Sequence, residues 1–230
     1  MAATILGISG SPILGSNTDR AVRFILESTG LPAEFIKLSD LSFEPCRACL
    51  GCVKTNECVV KDDAQVLAHK FHEARAFVLG GYTPYSSLDA RTKAFMERMY
   101  CLRHLTGLNR GKIGVSVVTT ACQPGVQGMP PAAETASSQI AFWMMEEGMV
   151  NLGSMIILGN VPCIRCGNGD TCEMSGIHML HSPQATVASV GVRDLERDEG
   201  LLAQARALAA RLRDALSRDT SGASVPPSTV

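Results

Sequence analysis

Four of the chain's nine cysteines fall within the thirteen residues CRACLGCVKTNEC. Cys46, Cys49, Cys52 and Cys58 follow the spacing C-x2-C-x2-C-x5-C. Thiolates are strong metal ligands, and three at successive x2 spacings can wrap one small inorganic core while a fourth closes it. Such compactness suits a [4Fe-4S] cubane, although the known two-cluster run sends its fourth cysteine to the other cluster. Tetrahedral zinc usually takes two pairs separated by a longer loop, which three evenly spaced cysteines fit poorly. Spacing alone leaves zinc and unligated thiols open.

A second group, PCIRCGNGDTCEMSGIHMLH, holds Cys163, Cys166 and Cys172, with His178 and His181 behind them. It repeats the C-x2-C…x5-C skeleton but is one ligand short of a four-thiolate site. Cys122 is the expected fourth, because it follows the strand that should neighbour the one preceding this group. Zinc with His178 or His181 is the rival, and a glycine-rich loop of reduced thiols the bland alternative. Other reactive residue types read as structural. Cys101 lies on an apolar helix face. His69 and His72 share a helix face but lack a third ligand nearby. Trp143, Met144, Met145 and Met149 read as core or subunit interface, and Glu146-Glu147 as a solvated face. No Ser/His/Asp set or paired carboxylates are spaced for hydrolysis.

The elements that must hold these thiols fit one α/β domain over 1–218: a chain of 230 residues is long enough for one sizeable core and short for two. A formal charge of −1 makes no electrostatic case for nucleic acid or an anionic membrane. No apolar run of transmembrane length exists, and MAATILGISG lacks the basic start and cleavage site of a signal peptide. The expected location is the reducing cytoplasm, where clustered cysteines bind metals or react rather than form disulfides.

Short apolar runs alternate with amphipathic segments. Strands are expected at 3–9, 33–38, 76–80, 113–119 and 154–158, and helices at 18–28, 63–73, 88–104, 131–147 and 199–216. Five apolar strands separated by helices imply a parallel sheet covered on both faces, doubly wound in the order 2-1-3-4-5. The connections 39–62 and 159–196 are too long for tight turns, and both carry cysteines, the second within 159–187. The end, 219–230, is polar and Pro/Ser-rich and is expected to be a disordered tail.

The first strand runs into Ser9-Gly10-Ser11-Pro12, then Gly15-Ser16-Asn17-Thr18 and a helix. Small residues let backbone N–H groups approach an anion, hydroxyls add donors, and the helix N-terminus adds partial positive charge. Neither G-x-G-x-x-G nor a P-loop lysine is present, so the donors suit a phosphate monoester. A plain turn with an N-cap is the alternative. After the third strand comes GYTPYSSL, then a helix with Lys93, Ala94, Phe95 and Arg98.

In these motifs the chain resembles the flavodoxin-like NAD(P)H-dependent FMN reductases. There the first loop reads approximately G-S-P-x-x-x-S-N-T, and the second reads P-x-Y before a helix with K-A-F-x-x-R. The likeness covers about 3–158 and resumes at 187–213. The compact cysteine motif resembles that of the family's iron–sulfur flavoprotein branch, which carries one [4Fe-4S] cluster. The resemblance implies that Ser9, Ser11, Ser16, Asn17 and Thr18 hold the FMN phosphate. It implies that Thr83, Pro84, Tyr85, Ser86 and Ser87 border the isoalloxazine, with Thr119, Thr120 and Ala121 on its third side. Two departures stand out: TTACQPGVQG puts Cys122 near the expected flavin edge, and Asp19 must point away from a phosphate dianion.

The function this implies is an oxidoreductase coupling a [4Fe-4S] cluster to FMN, with NAD(P)H or ferredoxin as donor and a small-molecule acceptor. A second cluster or zinc at Cys122, Cys163, Cys166 and Cys172 would be an addition to the family pattern. Alternatives are an FMN or quinone reductase with structural zinc or free thiols, and a non-enzymatic electron carrier. Relatives are homo-oligomers whose cluster reaches a neighbour's flavin, which implies a homo-oligomer here. The second strand, at one sheet edge, would put the 39–62 loop away from its own flavin.

Overall fold

The computed structural model describes residues 4–125 and 128–219. The expected tail lies, from residue 220 onward, outside the described residues. Five parallel strands, β1 (Ile5–Ser9), β2 (Ala33–Lys37), β3 (Ala76–Tyr82), β4 (Ile113–Thr120) and β5 (Val150–Leu158), form one sheet in the order β2-β1-β3-β4-β5. This is the expected doubly wound order. β1 pairs in register with both neighbours, Ile5 opposite Ala33 on one side and Ala76 on the other.

Alternation along the strands feeds two cores. Leu6, Ile8, Phe77 and Leu79 pack on one face with α2 (Asp63–Glu73), α3 (Ala90–Arg98) and α4 (Ala132–Glu146). Here Phe71 meets Phe77, Phe95 and Trp143 at centroid distances of 5.1, 5.6 and 6.0 Å. Ile5, Val78, Val115 and Val117 pack on the other face with α1 (Asn17–Thr29) and α7 (Glu199–Asp219). Period-two alternation with both faces apolar is what a sheet covered on both sides requires.

The helices start where side chains cap them. Ser16 accepts from the Asp19 N–H, Asp62 from Ala64, and Asp89 from Thr92. α1 ends at Gly30 in the left-handed region, at φ 67°.

Three expectations are corrected. The helix expected over 88–104 stops at Arg98 and tightens into a 3-10 turn, Met99–Leu102. β5 begins at Val150, four residues before the expected start. Gly153 interrupts its apolar run, but the ladder passes the break as a register shift. Glu147 is buried and accepts from Asn109 Nδ2 at 2.8 Å, so it is no solvated face. Cys101 is buried and Trp143, Met144 and Met149 are core, as read. The long connection after β5 carries two short helices, α5 (Gly176–Leu180) and α6 (Val187–Val190). Among the described residues no helix is long and apolar enough to cross a membrane.

Candidate functional site

The carboxyl ends of β1, β3 and β4 open on a cleft of about 460 Å³, at the switch point between β1 and β3 where doubly wound sheets bind ligands. Ser11, Ser16, Asn17, Thr18, Thr83, Pro84, Tyr85, Thr119, Thr120 and Ala121 all line it. Gly10 has no room for a side chain, since a Cβ there would lie 1.9 Å from Thr92 Oγ1. Its backbone can therefore follow the strand closely, donating to Gly80 O at 2.8 Å. The first turn of α1 brings unpaired helix N–H groups and partial positive charge to the cleft. Hydroxyl pairs tie the walls: Thr18 Oγ1 donates to Thr119 Oγ1 at 2.9 Å, and Thr83 Oγ1 to Thr120 Oγ1 at 3.0 Å.

Three expected residues face elsewhere. Ser9 is fully buried outside the lining, and its hydroxyl donates to Asp19 Oδ1 at 2.6 Å. Ser86 and Ser87 are also outside the lining, and the Ser87 hydroxyl pairs with Gln139. Asp19 does turn away, into a buried ion pair with Lys37 Nζ at 2.5 Å. Asn17 lines the cleft, but its side chain braces the chain after α6. Its Nδ2 donates to Arg193 O at 2.9 Å, and its Oδ1 accepts from Leu195 N–H at 3.2 Å.

The sequence reading missed a fourth wall: Asn160, Val161, Pro162 and Arg165, with Arg20 in the first turn of α1. Asn160 directly follows the β5 region, a position the topology could have exposed. Arg165, between two cysteines, carried no separate signal. Tyr85 is fully exposed at the mouth with φ 49°, and Ser86 follows at φ 61°. Left-handed backbone at two consecutive non-glycine residues is strained.

Cys46, Cys49, Cys52 and Cys58 line a single hollow with Arg47, Val59, Glu97, Arg98 and Cys101. Ala48 and Leu50 hold φ of 50° and 56°, so the chain winds back between successive cysteines. Such alternating turns make concavities of N–H groups suited to anions and iron–sulfur sites. Ala48 N–H donates to Cys46 Sγ at 3.4 Å, and Arg98 Nη2 to Cys58 Sγ at 3.3 Å. Gly51 packs closely on Val59, where a Cβ at residue 51 would lie 2.8 Å from Val59 Cγ2. Lys54 is exposed and outside the lining.

Burial opposes the charged Arg98 guanidinium, but hydrogen bonds to Asp62 and attraction to Cys58 hold its pKa above the ordinary value. Burial, and to a smaller extent the neighbouring thiols, raises Cys52. Among the described residues no three His, Cys, Asp or Glu side chains converge as one metal ion would require. His69 and His72 are exposed on α2.

In the second cysteine group, Cys163 Sγ accepts from Gly176 N–H at 3.2 Å and Cys166 Sγ from Asn168 N–H at 3.4 Å. Val161, Ile177 and Ala185 form a small core with Ala121 and Cys163 packed against it. The residue next to Cys122 is thereby tied to this loop. Cys122 is half-buried, with its N–H donating to Thr120 Oγ1 at 3.2 Å.

A doubly wound five-stranded parallel sheet in the order 2-1-3-4-5 defines a flavodoxin-like α/β fold. The chain belongs to the NADPH-dependent FMN reductase family, which matches residues 3–155. It is accordingly an FMN-binding flavoprotein oxidoreductase of that family. It is 32% identical over 152 residues to an iron-sulfur flavoprotein of Methanocaldococcus jannaschii, covering 65% of this chain and 75% of that one. An iron-sulfur flavoprotein of Archaeoglobus fulgidus is 26% identical over 218 residues, covering 90% and 92%. Among solved structures, an NADH:FMN oxidoreductase in its apo form superposes with TM-score 0.54 at 14% identity, covering 98% of this chain and 92% of that one. That likeness, at so low an identity, concerns the fold.

Proposed function

We propose that this flavoprotein passes electrons between FMN in the switch-point cleft and a [4Fe-4S] cluster on Cys46, Cys49, Cys52 and Cys58. FMN supplies both hydride and single-electron chemistry when bound, so it can join a two-electron carrier to a one-electron centre. Ser11, Ser16 and Thr18 hydroxyls and the α1 N-terminus hold its phosphate, while Arg20 beside them is ion-paired with Asp194 and Glu196. Thr83, Pro84 and Tyr85 border the ring on one side, and Thr119, Thr120 and Ala121 on another. NAD(P)H or ferredoxin is the donor and a small molecule the acceptor.

The observation that carries the reading is the cysteine hollow, where four thiols meet an N–H donor at Cys46 and a buried guanidinium at Cys58. A cubane spreads its ligands around four irons, so its thiols need not converge as around one ion. Arg98 Nε, buried and without a partner among the described residues, leaves a further donor on the same wall. The names of the relatives as iron-sulfur flavoproteins agree. Anaerobically purified protein should hold about four irons and as much acid-labile sulfide per chain, both lost in Cys49→Ser with FMN retained. Zinc without sulfide would overturn the reading in favour of an FMN reductase with structural metal.

We propose a homo-oligomer with transfer between subunits; the cleft and the cysteine hollow are separate, with no lining residue in common. Mixing Cys49→Ser with Ser11→Glu, which lacks flavin, should restore cluster-to-flavin transfer through mixed oligomers. Transfer in a monomer would refute that route.

A further inference from the structure

We propose that Arg98 and Asp62 form a charge pair that sets the reduction potential of the Cys46–Cys58 centre, Arg98 raising it through Cys58 and Asp62 tempering that effect. The inference rests on the cluster reading above and adds a role for two residues outside the cysteine motif.

The Arg98 side chain is 1% exposed, so its charge is out of bulk water. Its Nη1 donates to Asp62 Oδ2 at 2.5 Å and to Glu44 O at 2.8 Å; its Nη2 donates to Asp62 Oδ1 at 2.8 Å and to Cys58 Sγ at 3.3 Å. The guanidinium is thus gripped bidentately, and the second donor of Nη2 reaches a ligand sulfur. A fork so held cannot swing off the sulfur as a lysine would. Asp62 is fixed in turn: it caps α2 at Ala64 N–H and accepts from Glu44 N–H.

Adding an electron to a thiolate-ligated centre adds negative charge. A buried donor on the sulfur stabilises the reduced form more than the oxidised form, and hydrogen bonds to sulfur are a main control on such potentials. The nearby carboxylate acts in the opposite sense. Glu97 and Arg47 line the same hollow, but Arg47 is exposed and engaged by Glu44, so screening weakens its effect. Arg98 is the buried charge in contact with this centre, and Asp62, half-buried and outside the lining, reaches it only through Arg98.

The test is a spectroelectrochemical titration of the anaerobic, iron-loaded protein, following the iron–sulfur absorbance. Arg98→Gln should lower the reduced-to-oxidised ratio at a fixed potential tenfold or more, about 59 mV for one electron. Asp62→Asn, which keeps the cap and the size, should raise that ratio. Opposite shifts from opposite charges are not expected of a merely structural pair. If Arg98→Gln fails to assemble iron, Asp62→Asn decides alone. An unchanged or lowered potential in Asp62→Asn overturns the proposal while the cluster stands. Absence of iron and sulfide in the unaltered protein overturns the cluster reading instead.

Discussion

Asp19 and Lys37 lie 2.5 Å apart with less than a tenth of either side chain exposed, so a helix-start carboxylate beside the switch-point cleft is neutralised by a buried cation. Lys37 also donates to Ile13 O at 2.9 Å, holding the turn between β1 and α1. Lys37→Met should cost about 3–5 kcal/mol by leaving a buried carboxylate uncompensated. It should also weaken FMN binding, because that charge would then face the phosphate. Thermal unfolding and flavin fluorescence titration check both, and Asp19→Asn in the same chain should recover much of the loss. Unimpaired FMN binding in Lys37→Met would show that Asp19 exerts no field on the cleft.

Ser11→Ala with Asn17→Ala should lower FMN retention and leave iron nearly intact. The Asn17 change unfastens the 193–195 segment, and unpaired groups there cost about 1–3 kcal/mol. Hydrogen exchange should rise at residues 192–198, and heat should release FMN rather than FAD. Equal loss of iron and flavin would mean that the variant had simply unfolded.

The second cysteine set yields to metal analysis. With cubanes in both places the protein should contain about eight irons per chain, falling to about four in Cys166→Ser. With zinc on Cys122, Cys163, Cys166 and Cys172, iron stays at about four and zinc is what leaves. Metal content indifferent to Cys166→Ser would identify these as free thiols.

Burial, aided by the nearby Cys58 and Cys52, pushes the Cys101 thiol up to about 12. Its reactive thiolate therefore appears only as pH climbs toward that value. At pH 9 about one molecule in a thousand carries it, against roughly half or more for an ordinary thiol. Mass-spectrometric mapping of iodoacetamide labelling in apo-protein should find Cys101 spared at pH 9 until denaturant is added. Labelling at the rate of Cys49 would contradict the buried placement.

The sheet order was legible because each strand is a short apolar run between turn residues, and right-handed crossovers leave few orders. β5 was legible only in its second half, since Gly153 breaks the run that the ladder bridges. At the site, residue types were easier to read than their partners. Ser9 and Asn17 are the donors an anion turn needs, yet Ser9 serves Asp19 and Asn17 serves the 193–195 segment, contacts that only tertiary packing determines. Arg98 was visible in the K-A-F-x-x-R motif, but nothing local tied it to Cys58, forty residues earlier.

The Asn160–Arg165 wall stands outside the 3–155 stretch that matches the family, while the turn between β1 and α1 stands inside it. On the proposed function, changes between 160 and 165 should alter access to the cleft more than retention of FMN. Cys163 lies between Pro162 and Arg165 of that wall, so whatever the second cysteine group binds would also mould the entrance.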